Sequence, residues 1–239
     1  MFKKPFTTML AAAAFAAPLM AGAGEHSGGD IAVAQAYIKE IQAEDKAYIA
    51  AHDTKFFKAL SEGQRPRATI ITCSDSRVHT NMLDKTPEGD LFVIRNIGNQ
   101  LATANGSVQY GVNHLGSSLL LIIGHSSCGA IKAASGDYSA LEPDIKRELD
   151  TIHITRGNAN IDGVKTNVNN QVVVALKEFA DKVKNRELLV VGAVYDFADD
   201  MKKGAGRLNI INMNGETDQA KLRNMPTSAA KVEHGQAKH

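Results

Sequence analysis

Two apolar runs, each emptying into metal-binding groups, constrain this chain more than any other feature. The stretch Ala68-Thr69-Ile70-Ile71-Thr72 leads into Cys73-Ser74-Asp75-Ser76-Arg77, which places a thiol, a carboxylate and a guanidinium within five residues. The stretch Leu119-Leu120-Leu121-Ile122-Ile123-Gly124 leads into His125-Ser126-Ser127-Cys128-Gly129. Short continuous apolar runs bounded by turn residues read as buried strands, so Cys73, His125 and Cys128 each stand just past a strand end. Sites in open parallel sheets gather beyond the carboxyl ends of adjacent strands. Two thiolates and one imidazole suit one zinc ion per chain, with the fourth position left for water or substrate as in catalytic zinc sites. A purely structural site would need a fourth protein ligand.

The chain has 239 residues, is 44% hydrophobic and carries a formal charge of +1, which suits one globular domain with an ample core. Nothing in that balance points to nucleic acid. The N-terminus reads differently: Met1-Phe2-Lys3-Lys4 is basic, Thr8 through Met20 is apolar, and Ala21-Gly22-Ala23 has the small-x-small form of a cleavage site. The reading is a secretory signal over 1–23, a catalytic domain over 24–214 and a polar tail over 215–239. It places the mature protein in the periplasm or outside the cell, with no membrane attachment after cleavage; an uncleaved anchor is the alternative. Cys73 and Cys128 are the only cysteines, and in an oxidising compartment such a pair invites a disulfide. Metal ligation accounts for the polar groups around both, which a plain disulfide would leave idle.

Periodicity supplies the remaining elements. A helix is predicted from Ile31 to about His52, capped by Asp30, with Val33, Ala36, Tyr37, Ile41 and Ile49 on its apolar positions. A second helix is expected over 53–60 and a short one over 78–83. Strands follow at 68–72, 90–95, 118–124, 187–195 and 207–211, with helices beginning near Asn105 and Gly129 and helical spacing through Val168, Val172, Leu176 and Phe179. The continuous apolarity of 90–95 suits a strand covered on both faces, and residues 135–166 carry little pattern. The predicted fold is α/β: a mostly parallel central sheet flanked by helices, with an N-terminal helical arm. Its last strand is antiparallel, because the preceding loop is too short for a crossover helix.

Five linked motifs resemble the β-class carbonic anhydrases over about 64–211. They are Cys73-Ser74-Asp75-Ser76-Arg77, Gly89 through Asn96, Gly106-Ser107-Val108-Gln109-Tyr110, Gly124 through Ala130, and Gly192-Ala193-Val194-Tyr195-Asp196. The resemblance implies zinc held by Cys73, His125 and Cys128, with Asp75 and Arg77 as a catalytic dyad. It implies reversible hydration of carbon dioxide to bicarbonate and a proton by zinc-bound hydroxide, in a homodimer or dimer of dimers whose N-terminal helices embrace the partner. The implied substrate pocket spans the dimer interface and falls on Gln64, Phe92, Ile97 and Tyr110, with Gln64 supplied by the partner. The Gly129 amide also faces the substrate in this reading, or simply serves turn geometry.

One departure is informative. Where some members hold a regulatory bicarbonate with a Trp three positions before the first Cys ligand, Ile70 stands here, and that switch is expected to be missing. His79 and His114 are candidates for a proton relay, since an unperturbed imidazole titrates near neutrality; the alternative is that both are ordinary surface or packing residues. Three other functions remain open on these residues: a hydrolase of carbon disulfide or carbonyl sulfide on the same scaffold, a non-catalytic zinc-binding protein, and a redox protein cycling a Cys73–Cys128 disulfide.

Overall fold

A computed structural model describes residues 30–224 of the chain. The expected signal segment 1–23 and the last part of the expected tail, 225–239, lie outside the described residues. The chain divides into two units, the first ending at Thr54 and the second beginning at Lys55. In the first unit, helix α1 (Ile31–Ala51) begins as expected at Asp30, whose side chain accepts from the Ala32 amide. None of its residues is buried, and Ile31, Val33, Tyr37, Ile38, Ile41 and Ile49 are exposed along it. Among the described residues no helix is long and apolar enough to cross a membrane.

After α2 (Thr54–Ser61) the second unit is built on strands β1 (Ala68–Cys73), β2 (Leu91–Asn96), β3 (Leu119–His125), β4 (Leu189–Asp196) and β5 (Arg207–Met213). Among the described residues they form one sheet in the order β2-β1-β3-β4-β5. The first four run parallel, while β5 pairs antiparallel to β4 across a bulge at Gly192/Ala193. Each strand alternates between two cores, as the period of two requires. In β3, Leu120 and Ile122 enter the larger core and Leu121 and Ile123 the smaller one; in β1, Ile71 and Cys73 face the larger core and Ile70 the smaller. Strand β2 corrects one expectation. It is an edge strand with only Ile94 buried, because the strand order leaves one of its sides without a neighbour.

Helices α3 (Asn105–Gln109), α4 (Gly129–Ala134), α5 (Pro143–Leu149), α6 (Ile161–Glu178) and α7 (Ala180–Lys184) follow in chain order. Helix α3 runs on into a wider π-helical turn, Tyr110–His114, and a single 3-10 turn at Thr80–Met82 stands in place of the short helix expected over 78–83. The pattern-poor region contains α5, started by a proline in its first turn, and the beginning of α6, capped by Asn160. The expected tail does not begin as one: Gly215, at φ 91°, turns the chain back so that Glu216 bridges to Met213, and α8 (Gln219–Asn224) follows.

Helix α6 sits close on the sheet because Gly124 and Gly192 lie on adjacent strands beneath it. A Cβ on Gly124 would come within 2.7 Å of Val168 Cγ2 and 2.8 Å of Val164 Cγ1, and one on Gly192 within 2.8 Å of Val168 Cγ1. Overpacking a core of this kind costs about 1–3 kcal/mol. Gly124→Ala is therefore expected to lower the unfolding free energy by that amount, read as a lower urea midpoint at unchanged m-value, and an unchanged midpoint would mean that α6 yields freely.

Candidate metal centre

The centre is assembled by the pairing of β1 with β3. Thr72 lies beside Ile123 in the parallel register, so the chain leaves both strands on the same edge, Cys73 from one and His125 from the other. Cys128 arrives from the turn after β3, immediately before α4. The Sγ atoms and one imidazole nitrogen of these three residues lie within 4.8 Å of one another, and all three are buried. Tetrahedral zinc with bonds of about 2.0–2.3 Å sets its donors roughly 3.3–3.8 Å apart, so the donor set fits. A second observation agrees: His125 Nε2 is buried without a hydrogen-bond partner among the described residues, while Nδ1 is engaged with the Ser126 carbonyl at 2.9 Å. That division orients the ring and leaves one nitrogen for a metal.

Both cysteines are free. A hydrogen bond from Cys128 holds the Cys73 thiol down to about 4 against the opposing effect of its burial, with help from His125 and from the Gly98 and Asp75 amides. The same bond and burial push Cys128 up.

The Gly98 contribution has its own support. Gly98 has φ 79° and a Cβ there would approach Ile152 Cδ1 within 2.7 Å. Its carbonyl accepts from Gln100 Nε2 at 2.6 Å and Asn167 Nδ2 at 3.0 Å, and Gln171 bonds both Gln100 and the Leu101 amide at 2.8 Å. Helix α6 therefore fixes the turn after β2 that offers its amide to Cys73. Sequence reading missed Asn167 and Gln171; polar residues at buried helical positions were the available signal.

Asp75 and Arg77 form the expected pair. Arg77 Nε donates to Asp75 Oδ1 at 2.9 Å and Nη2 to Oδ2 at 2.7 Å, and the Arg77 amide adds a bond to Oδ1 at 3.0 Å. This two-pronged fork is the geometry that makes an arginine more than a charge. Arg95 braces the segment by donating to the Cys73 and Asp75 carbonyls at 3.2 and 2.7 Å. Asp75 Oδ2 stands 3.8 Å from His125 Nε2, so the carboxylate borders the space that a metal and its fourth ligand would occupy.

The Arg77 hydrogen bond is the main reason that the Asp75 carboxyl is lowered from 3.8 to about 2. Because the folded value lies below the unfolded one, the associated stability is fully present above about pH 4 and is lost as pH falls toward about 2. Screening at this partly open rim limits it to on the order of 1 kcal/mol. Arg77→Gln should therefore narrow the stability difference from wild type as pH drops from 6 to about 2.5, measured by urea midpoints; a gap that stays constant would contradict the ion pair's role.

The expected pocket residues stand on several elements of the second unit. Phe92 on β2 and Tyr110 on the π-helical turn bring their ring centroids to 5.9 Å, and Ile97 is half-buried against the larger core. Gly129 is exposed, with no atom within 4 Å of where its Cβ would be, and Gln64 is exposed between α2 and β1. His114 is exposed and stacks on Tyr110 at 5.7 Å, and His79 is exposed on the loop after β1.

A mostly parallel α/β sheet, a buried Cys–His–Cys donor set at its carboxyl edge and a carboxylate–guanidinium pair beside it define a class of α/β protein with a candidate metal centre. The family model for carbonic anhydrase matches residues 68–202. A carbonic anhydrase of Synechocystis sp. is 40% identical over 105 residues, which cover 41% of this chain and 38% of that protein. One from Pseudomonas aeruginosa is 42% identical over 87 residues, or 34% of this chain and 40% of that protein. The matched stretches therefore span less than half the length of these relatives. Among solved structures, a tetrameric β-carbonic anhydrase from Sordaria macrospora superposes with a TM-score of 0.61 at 25% identity, over 75% of this chain and 97% of that one. One from Aspergillus fumigatus gives 0.55 at 26% identity, over 82% and 99%. The chain belongs to the carbonic anhydrase family, and its fold is that of the β class.

Proposed function

We propose that the chain catalyses the reversible, zinc-dependent hydration of carbon dioxide to bicarbonate and a proton. The observation that carries this reading is the placement of Asp75 Oδ2, 3.8 Å from the unpartnered His125 Nε2, beside three buried donors that match zinc. Zinc held by Cys73, His125 and Cys128 would supply Lewis-acid activation of water. Asp75, ionised and gripped by Arg77, would accept a hydrogen bond from that water and so orient it toward substrate. Arg77 keeps the carboxylate from rotating. Phe92, Ile97 and Tyr110 offer an apolar wall suited to a small uncharged substrate, and Gln64 of a second copy completes it in a dimer or dimer of dimers.

Stopped-flow hydration of carbon dioxide by the full chain, with zinc quantified on the same sample, tests the reading. Rates proportional to zinc content are expected. One zinc per chain without hydration would favour carbon disulfide or carbonyl sulfide as substrate, or a binding role. Absence of zinc with oxidised cysteines would favour a redox protein.

A further inference from the structure

Phe197 has no part in the reading above, yet its ring touches both halves of the site. Its centroid lies 5.9 Å from that of the His125 imidazole with the planes 26° apart, and the Tyr195 ring meets it edge-on at 5.7 Å. The guanidinium carbon of Arg77 lies over the same ring, 4.8 Å from its centroid, within the range of a cation–π contact.

The backbone that carries this ring is held firmly. Asp196, fully buried, accepts from Ser126 Oγ at 2.7 Å, the Asp200 amide at 3.0 Å and the Met201 amide at 2.7 Å. One carboxylate therefore ties the Phe197 loop to the turn that presents His125 and Cys128. Those hydrogen bonds outweigh its burial and keep Asp196 below the ordinary carboxylate range.

Arg77 needs such support. Its side chain is 51% exposed, and exposed ion pairs exchange readily with water. The fork to Asp75 and the bond from Nη2 to the Ser127 carbonyl at 3.1 Å hold the guanidinium by its edge. Only a contact on its face opposes tilting, and Phe197 supplies one.

We propose that Phe197 is a positioning residue: its ring backs the Arg77 guanidinium and the His125 imidazole together, fixing the Asp75 carboxylate relative to the ligand set. The inference rests on the proposed hydration reaction and deepens it.

The test uses the zinc-loaded full chain with Phe197→Leu, which keeps apolar bulk without a ring, and Phe197→Tyr, which restores the ring. Phe197→Leu is expected to lower kcat/KM for carbon dioxide about fivefold to tenfold, with KM and zinc per chain unchanged, the range a partly desolvated cation–π contact allows. Phe197→Tyr should recover most of that loss. The Arg77 Nε–H resonance in a nitrogen–proton NMR spectrum reads the geometry without activity. It should carry a ring-current shift in wild type and Phe197→Tyr that disappears in Phe197→Leu.

Unchanged kcat/KM in Phe197→Leu, equal losses in both variants, a loss that follows zinc content, or an Arg77 resonance indifferent to the ring would each overturn the proposal. If wild type binds zinc and does not hydrate carbon dioxide, the reaction reading fails, and the Arg77 resonance alone still decides the role of Phe197.

Discussion

Asp75→Asn in the zinc-loaded full chain is expected to cut kcat/KM for carbon dioxide hydration by about two to three powers of ten, the range in which a positioned acceptor or charge contributes to a transition state. Asparagine keeps the size and one carbonyl oxygen, so packing against Arg77 survives in part. It replaces the second acceptor by an N–H donor, which meets the Arg77 Nη2 donor now 2.7 Å from Oδ2. The fork is broken and the orienting acceptor is lost together. Zinc per chain should be unchanged, because the donor set of Cys73, His125 and Cys128 does not include Asp75. Activity within a few-fold of wild type at full zinc would remove the dyad from the mechanism and leave Asp75–Arg77 as a structural bridge.

Cys128→Ala should act on the metal itself. Outer-shell changes alone cost about 10–100-fold in metal affinity, so deleting one of three direct donors is expected to cost more than about 100-fold, seen as loss of zinc on dialysis against a weak chelator. A second readout comes from the metal-free protein. The hydrogen bond from Cys128 is the largest influence holding Cys73 down to about 4, and burial is the largest influence opposing it. Removing the bond leaves burial less opposed, so the thiolate absorbance of Cys73 should appear at higher pH in the variant than in wild type. Full zinc retention, or a Cys73 titration that does not move, would show that the two sulfurs do not share a site.

Much of this centre was legible because its signals are local. An apolar run followed at once by Cys73, or by His125 and Cys128, marks a strand end whatever the strand pairs with. The antiparallel β5 followed from the shortness of the loop after β4, and the Asp30 and Arg77 contacts span only two residues each. The regions that resisted sequence reading lacked such signals: α5 is a single short helix inside polar sequence, and α8 follows a turn set by Gly215. Strand β2 reads as fully buried because apolarity reports what a strand can tolerate, whereas coverage depends on its place in the sheet.

By itself, then, the amino-acid sequence determined which groups the protein can bring to a metal, and at which strand ends they stand, because residue type and a period of two are properties of the chain alone. Tertiary structure decided that they meet. The order β2-β1-β3-β4-β5 places β1 beside β3, so that Cys73 reaches donors more than fifty residues away. It also places β4 beside β3, which brings Asp196 to Ser126 and Phe197 to both His125 and Arg77. No local pattern encodes those contacts, because they arise from strand pairing and helix packing between segments distant in the chain.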